Sequence, residues 1–256
     1  MSGVGVVVHR DPELLAEAVA ARLAIRLIDA QSVRGRASVV LTGGGLGIAL
    51  LRALRDGRLR DAVDWRRLDV WWGDERFLPA GDGERNETQA RDALLDHVPL
   101  DPARVHPMPA SDGPDGNDVE AAAERYAGEL AAAAKPEHHL PHFDVLLLGM
   151  GGEGHVASIF PESPAAYDER PVVGVRGSPK PPPSRVSLTF PTINSADEVW
   201  LVVAGADKAG AVGLALGAGA GPTQVPAAGV GGHTRTLWLL DRAAAKDVPA
   251  DLRTAH

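Results

Sequence analysis

The strongest constraint on this chain is an alternation of two apolar patterns. Five short runs are apolar at nearly every position: residues 37–41, 68–72, 143–148, 199–204 and 236–240. Strands covered on both faces read this way, whereas half-exposed strands alternate. Between them lie segments with helical spacing. Within 12–30, Leu15, Val19, Leu23 and Leu27 line one face, and Asp11 is placed to cap the start. Segments 48–54, 86–98, 118–134 and 207–216 continue the series. Strands alternating with helices predict an α/β fold, with a mainly parallel, doubly wound, Rossmann-like sheet and helices on both faces. The proline-rich stretch 178–184 and the Gly/Ala/Pro-rich stretch 217–232 read as surface loops, because strand-like segments follow each. No repeat is visible, so the 256 residues are expected to form a single domain over 1–256.

Composition narrows the function classes. The absence of cysteine excludes disulfides and thiolate metal sites, and fits a cytoplasmic home. A net charge of −8 disfavours nucleic acid and acidic membranes, while leaving room for a local cluster of arginines around an anionic substrate. The apolar segment 1–8 is followed, not preceded, by His9 and Arg10, so it does not read as a signal peptide. No apolar run reaches the roughly 18 residues of a membrane span. Without a coiled coil or an evident apolar patch, the expectation is a monomer.

In open parallel sheets, ligands gather where strands end. Four segments there carry candidate chemistry. Thr42-Gly43-Gly44-Gly45 follows the first buried run and opens a helix. Such glycines let backbone N–H groups approach a phosphate or sugar oxygen, but a ligand-free turn reads the same. Asp74-Glu75-Arg76 follows the second run. Asp74 and Arg76 suit a substrate hydroxyl and an anion, and a solvated turn is the alternative; Asn86, at the start of the next helix, could be a simple cap. After 143–148 come Gly149-Met150-Gly151-Gly152-Glu153-Gly154-His155. Here an imidazole sits in a glycine-rich turn with an acid two residues before it, the pattern of a general base and its orienter. Arg185 begins a later apolar stretch and Lys208 a later helix. The pair suits a phosphate, although a lone helix lysine is usually a surface residue. His138, His139 and His142 read as a solvated loop rather than a metal cluster.

In this order, the segments resemble the 6-phosphogluconolactonase family, which is grouped with the glucosamine-6-phosphate deaminases. The most specific parts are Trp72-Gly73-Asp74-Glu75-Arg76 and the stretch from Gly149 to Pro161. The resemblance implies hydrolysis of 6-phospho-D-glucono-1,5-lactone in the oxidative pentose phosphate pathway, with no metal and no cofactor. It implies that His155 is the catalytic base, oriented by Glu153, with Asp74 in the pocket. Arg76, Arg185, Lys208, Thr42, Gly43, Gly44 and Gly45 would hold the substrate and its phosphate. The chain departs from the family pattern at Glu153, where aspartate is usual, and at Gly45, where serine or threonine is frequent. The deaminases carry a glutamate five residues after the histidine; this chain has Phe160 followed by Pro161. That replacement favours the lactonase over a deaminase or aldose–ketose isomerase. A non-catalytic sugar-phosphate-binding module would have no need of His155.

Overall fold

The computed structural model describes residues 3–217 and 219–252. Part of the apolar segment 1–8 (Met1 and Ser2) and Ala218 of the 217–232 loop lie outside them, as do the last four residues. All five predicted strands are present: β2 (Ala37–Leu41), β3 (Leu68–Trp72), β5 (Val145–Leu148), β8 (Glu198–Val203) and β9 (Arg235–Asp241). With β1 (Gly3–His9) they form a six-stranded sheet in the order β1-β9-β8-β5-β2-β3, with every neighbouring pair parallel. β2 and β5 are buried at every position, as strands covered on both faces must be. The sixth strand, β1 (Gly3–His9), was not anticipated. It pairs with β9 at the sheet edge, where partial exposure and two glycines dilute the apolar signal.

Local chemistry explains the helices. α1 (Pro12–Arg34) starts with Asp11 accepting the Leu14 N–H at 2.9 Å and Pro12 in the first turn. It outruns the expected end at residue 30 and stops at Gly35, whose φ of 72° is the left-handed helix-stop geometry. Leu15, Val19, Leu23 and Leu27 are all buried along its core face. α2 (Gly44–Asp56), α4 (Val119–Ala133, capped by Asp118) and α6 (Ala209–Leu216) match their predicted segments. α3 (Asn86–Ala93) is shorter than the predicted 86–98, giving way to a 3-10 turn over Leu95–His97. α5 (Phe190–Ile193) is a single turn.

A second sheet is the main departure from the expected architecture. Asp74-Glu75-Arg76 is a short strand, β4 (Asp74–Arg76), rather than a turn. It pairs antiparallel with β7 (Arg185–Leu188), which pairs antiparallel with β6 (Val172–Val175). Gly73 joins the two sheets, donating its N–H to Leu41 O and accepting from Leu188 N, each at 2.9 Å. One continuous hydrophobic core includes residues of both sheets.

In the large sheet the chain runs from β2 outward to β3, then crosses back to β5 on the other side of β2. The carboxyl ends of β2 and β5 therefore diverge at a topological switch point, which opens a crevice. The small sheet stands beside that crevice.

Candidate active site

A cleft of about 320 Å³ occupies the switch point. Thr42, Gly43, Gly44 and Gly45 line it from the loop after β2 and the start of α2. His155 lines it from the loop after β5, Asp74 and Arg76 from β4, Arg185 from β7 and Lys208 from the start of α6. The candidate residues therefore converge, with one qualification: Glu153 does not line the cleft and reaches it only through His155. Lys208, which taken alone reads as a surface residue, also lines the cleft, with Asp207 Oδ2 2.9 Å from its ammonium.

His155 Nδ1 lies 2.9 Å from Glu153 Oε1, and its ring packs 4.5 Å from the Phe160 ring. Partial burial works against ionisation of Glu153. Its own backbone N–H, the Lys180 ammonium and His155 outweigh that, and hold the carboxyl down at about 2. An ionised carboxylate only accepts, so the shared proton belongs to Nδ1 and the imidazole lone pair to Nε2. Burial lowers the His155 pKa below its ordinary 6.5; Glu153 opposes that shift and Lys180 adds to it. The pair requires Gly151: a Cβ there would stand 2.0 Å from His155 Nδ1 and 2.6 Å from Glu153 Oε2. The longer glutamate thus still reaches the histidine.

The opposite wall is a polar lattice. Asp74 Oδ2 accepts from Ser158 Oγ at 2.7 Å, and Asn86 Nδ2 donates to Asp74 O at 2.8 Å. Asn86 lies in the first turn of α3 and is not its cap. It lines the cleft, and its Oδ1 is buried with no hydrogen-bond partner. Gly43 makes this approach feasible, since a Cβ there would sit 2.0 Å from that oxygen. Thr42 Oγ1 accepts from Gly149 N at 3.2 Å, tying the loops after β2 and β5 together. Glu75, fully buried, faces away from solvent and caps α3 from the neighbouring strand. It accepts from Asn86 N at 2.6 Å and Glu87 N at 2.8 Å, with Arg85 3.7 Å away.

Arg76 and Arg185 stand directly opposite each other in the β4–β7 register. Like charges facing across a strand pair are destabilising, and Asp74 Oδ2, 4.0 Å from Arg185 Nη1, offsets this only in part. With Lys208, the lining holds three cations against the single carboxylate of Asp74. α2 starts at the cleft with no side-chain cap, which leaves first-turn N–H groups without intrahelical acceptors. Arg185 has a second task. Its Nε donates to Pro182 O at 3.2 Å, and its Nη2 to Lys180 O at 3.2 Å and Pro181 O at 3.0 Å.

The family model for glucosamine-6-phosphate isomerases and 6-phosphogluconolactonase matches residues 10–238. The chain belongs to that family. Among its members, a 6-phosphogluconolactonase of Streptomyces coelicolor is 65% identical over 249 residues, covering 96% of this chain and 95% of the relative. A 6-phosphogluconolactonase of Mycobacterium tuberculosis is 52% identical, covering 94% and 96% respectively. The solved structure of a 6-phosphogluconolactonase from Trypanosoma brucei superposes with a TM-score of 0.82 at 30% identity, covering 97% of this chain and all of that one.

Outside the cleft, His138 and His139 are exposed, as the solvated-loop reading expects, whereas His142 also meets two carboxylates. His142 Nε2 lies 3.3 Å from Asp197 Oδ2 and 3.5 Å from Asp144 Oδ1. Arg26 and Arg34 already pair with these carboxylates, so charge balance there needs no cation. Among the described residues, no helix is long and apolar enough to cross a membrane.

Proposed function

We propose that the chain hydrolyses 6-phospho-D-glucono-1,5-lactone to 6-phospho-D-gluconate, the lactone-opening step of the oxidative pentose phosphate pathway, with His155 as general base. Near-full-length relatives bearing the name 6-phosphogluconolactonase support the reaction. The observation that carries the site assignment is the convergence of an imidazole–carboxylate pair and three cations on one cleft.

His155 Nε2 takes a proton from water as its oxygen attacks the lactone C1. Arg76 and nearby backbone N–H groups stabilise the oxyanion. When the bond from C1 to the ring oxygen breaks, the imidazolium returns its proton to that oxygen, which becomes the C5 hydroxyl. The carboxylic acid formed then loses its proton to solvent. Glu153 keeps the Nδ1 tautomer and stabilises the transient imidazolium. Arg185, Lys208 and the Thr42-Gly43-Gly44-Gly45 loop hold the phosphate, so remote binding energy positions the lactone. Asp74 meets the sugar hydroxyls, and Asn86 holds it in place by donating to its backbone oxygen. Phe160 packs on His155 at the position where the deaminases carry a glutamate, so that carboxylate is not available for a proton relay.

A monomer acting in the cytoplasm, the reading that a chain without cysteine fits, belongs to the same proposal. The test is hydrolysis of freshly generated lactone, corrected for spontaneous opening. Acceleration by the wild type that is lost in His155→Ala supports the reading. No acceleration by the wild type refutes the activity, and an unimpaired His155→Ala refutes the base.

A further inference from the structure

The proline-rich stretch 178–184 does more than connect β6 to β7. Arg185 donates to the carbonyls of Lys180, Pro181 and Pro182, so the residue that faces the cleft also pins this strap from beneath. The Ser178 N–H donates to Pro183 O at 2.9 Å and closes the strap on itself. Its one cation, Lys180, places Nζ 3.1 Å from the Glu153 carboxylate. Glu153 in turn holds His155. The three side chains form a line from ammonium to carboxylate to imidazole, running from solvent inward.

We propose that Lys180 is a positioning residue for this hydrolysis: the pinned strap delivers its ammonium to the outer side of Glu153 and fixes the carboxylate that orients His155. The inference rests on the reading of His155 as the base. A glutamate has one more rotatable bond than the aspartate usual at this position, and 36% of the Glu153 side chain is exposed. Held only by His155, such a carboxylate would sample several rotamers; a second, charged partner removes that freedom. The ammonium also keeps Glu153 ionised and disfavours a second positive charge on His155. The other charged groups around the imidazole are Glu153 and Asp74, which favour its protonation, and Arg76, Arg185 and Lys208 along the same cleft. Lys180 is therefore expected to keep the base unprotonated toward lower pH. Because Arg185 touches both the strap and the cleft, the seat of the phosphate and the orientation of the base are mechanically linked.

The experiment compares wild type, Lys180→Met, Lys180→Arg and His155→Ala. It records the pH dependence of kcat and KM, together with an NMR titration of the imidazole resonances, in which His155→Ala identifies the His155 signal. In Lys180→Met, kcat should fall about three- to tenfold, the scale of a partly solvated charged hydrogen bond, with KM little changed. The loss should deepen as pH falls, the His155 titration should move to higher pH, and Lys180→Arg should restore most of the activity. An unshifted His155 titration in Lys180→Met overturns the inference. So does a loss that is uniform across pH and carried by KM, which would place Lys180 on the substrate instead. Wild-type activity in His155→Ala is a separate failure, that of the base assignment.

Discussion

An imidazole beside a carboxylate usually becomes more basic, yet burial makes His155 less so. The sign matters for a general base. A lowered pKa keeps Nε2 unprotonated at neutral pH, and the acidic limb of kcat/KM should fall at a pH below the ordinary 6.5. A pH–rate profile with that limb above 6.5 would contradict this. His155→Ala should lower kcat by about two to four powers of ten, the usual contribution of acid–base catalysis, measured by initial rates. Arg185→Ala should raise KM by about tenfold or more through the lost phosphate contact. Arg185→Lys should not restore it, because an ammonium cannot reproduce a planar fork that meets three carbonyls and an anion. His155, Glu153, Asp74, Arg76 and Lys208 stand out in the sequence because glycine-rich or charged segments follow apolar runs, whereas Arg185 stands out by opening one. Asn86, Ser158 and Lys180 were not. Each acquires its role from a neighbour far along the chain: Ser158 from Asp74, Lys180 from Glu153.

β4 shows why some elements escape a reading by pattern. It is three residues long, all charged, and buried or half-buried. Asp74 and Arg76 face the cleft while Glu75 caps α3, so no hydrophobic period remains to mark a strand. Burial raises the Glu75 pKa to about 7, against Arg85 and the N–H groups of Glu87, Asn86 and Arg76. A raised pKa means that folding takes up a proton. The stabilisation it brings is fully present below about 4.5 and is lost as pH rises through about 7. The melting temperature of wild type relative to Glu75→Gln should therefore decline between pH 5 and pH 8. A difference that stays constant across that range would mean that Glu75 is not protonated on folding. The loop after β5 makes a matching demand. Gly151→Ala would drive a Cβ into His155 and Glu153, and should depress kcat nearly as far as His155→Ala while leaving the global fold intact by circular dichroism.

The whole molecule sets an acidic chain around a basic cleft. Its net charge is −8, yet three cations face one carboxylate where β2 and β5 diverge. A distant surface charge is screened within about 10 Å at 0.1 M salt, so the local cations would govern an anion entering the cleft. The crevice could be located from the alternation of strands and helices, because a parallel sheet that reverses its winding order opens at its carboxyl edge. The small antiparallel sheet that supplies Asp74, Arg76 and Arg185 could not, since it is built from three- and four-residue strands. The most direct measurement is the ratio of kcat/KM for 6-phosphogluconolactone to that for unphosphorylated gluconolactone, each corrected for spontaneous opening. Two charge-assisted contacts to the phosphate predict a ratio of at least about a hundredfold, collapsing in Arg185→Ala. Equal acceleration of both lactones would contradict the phosphate seat, and acceleration of neither would contradict the enzyme.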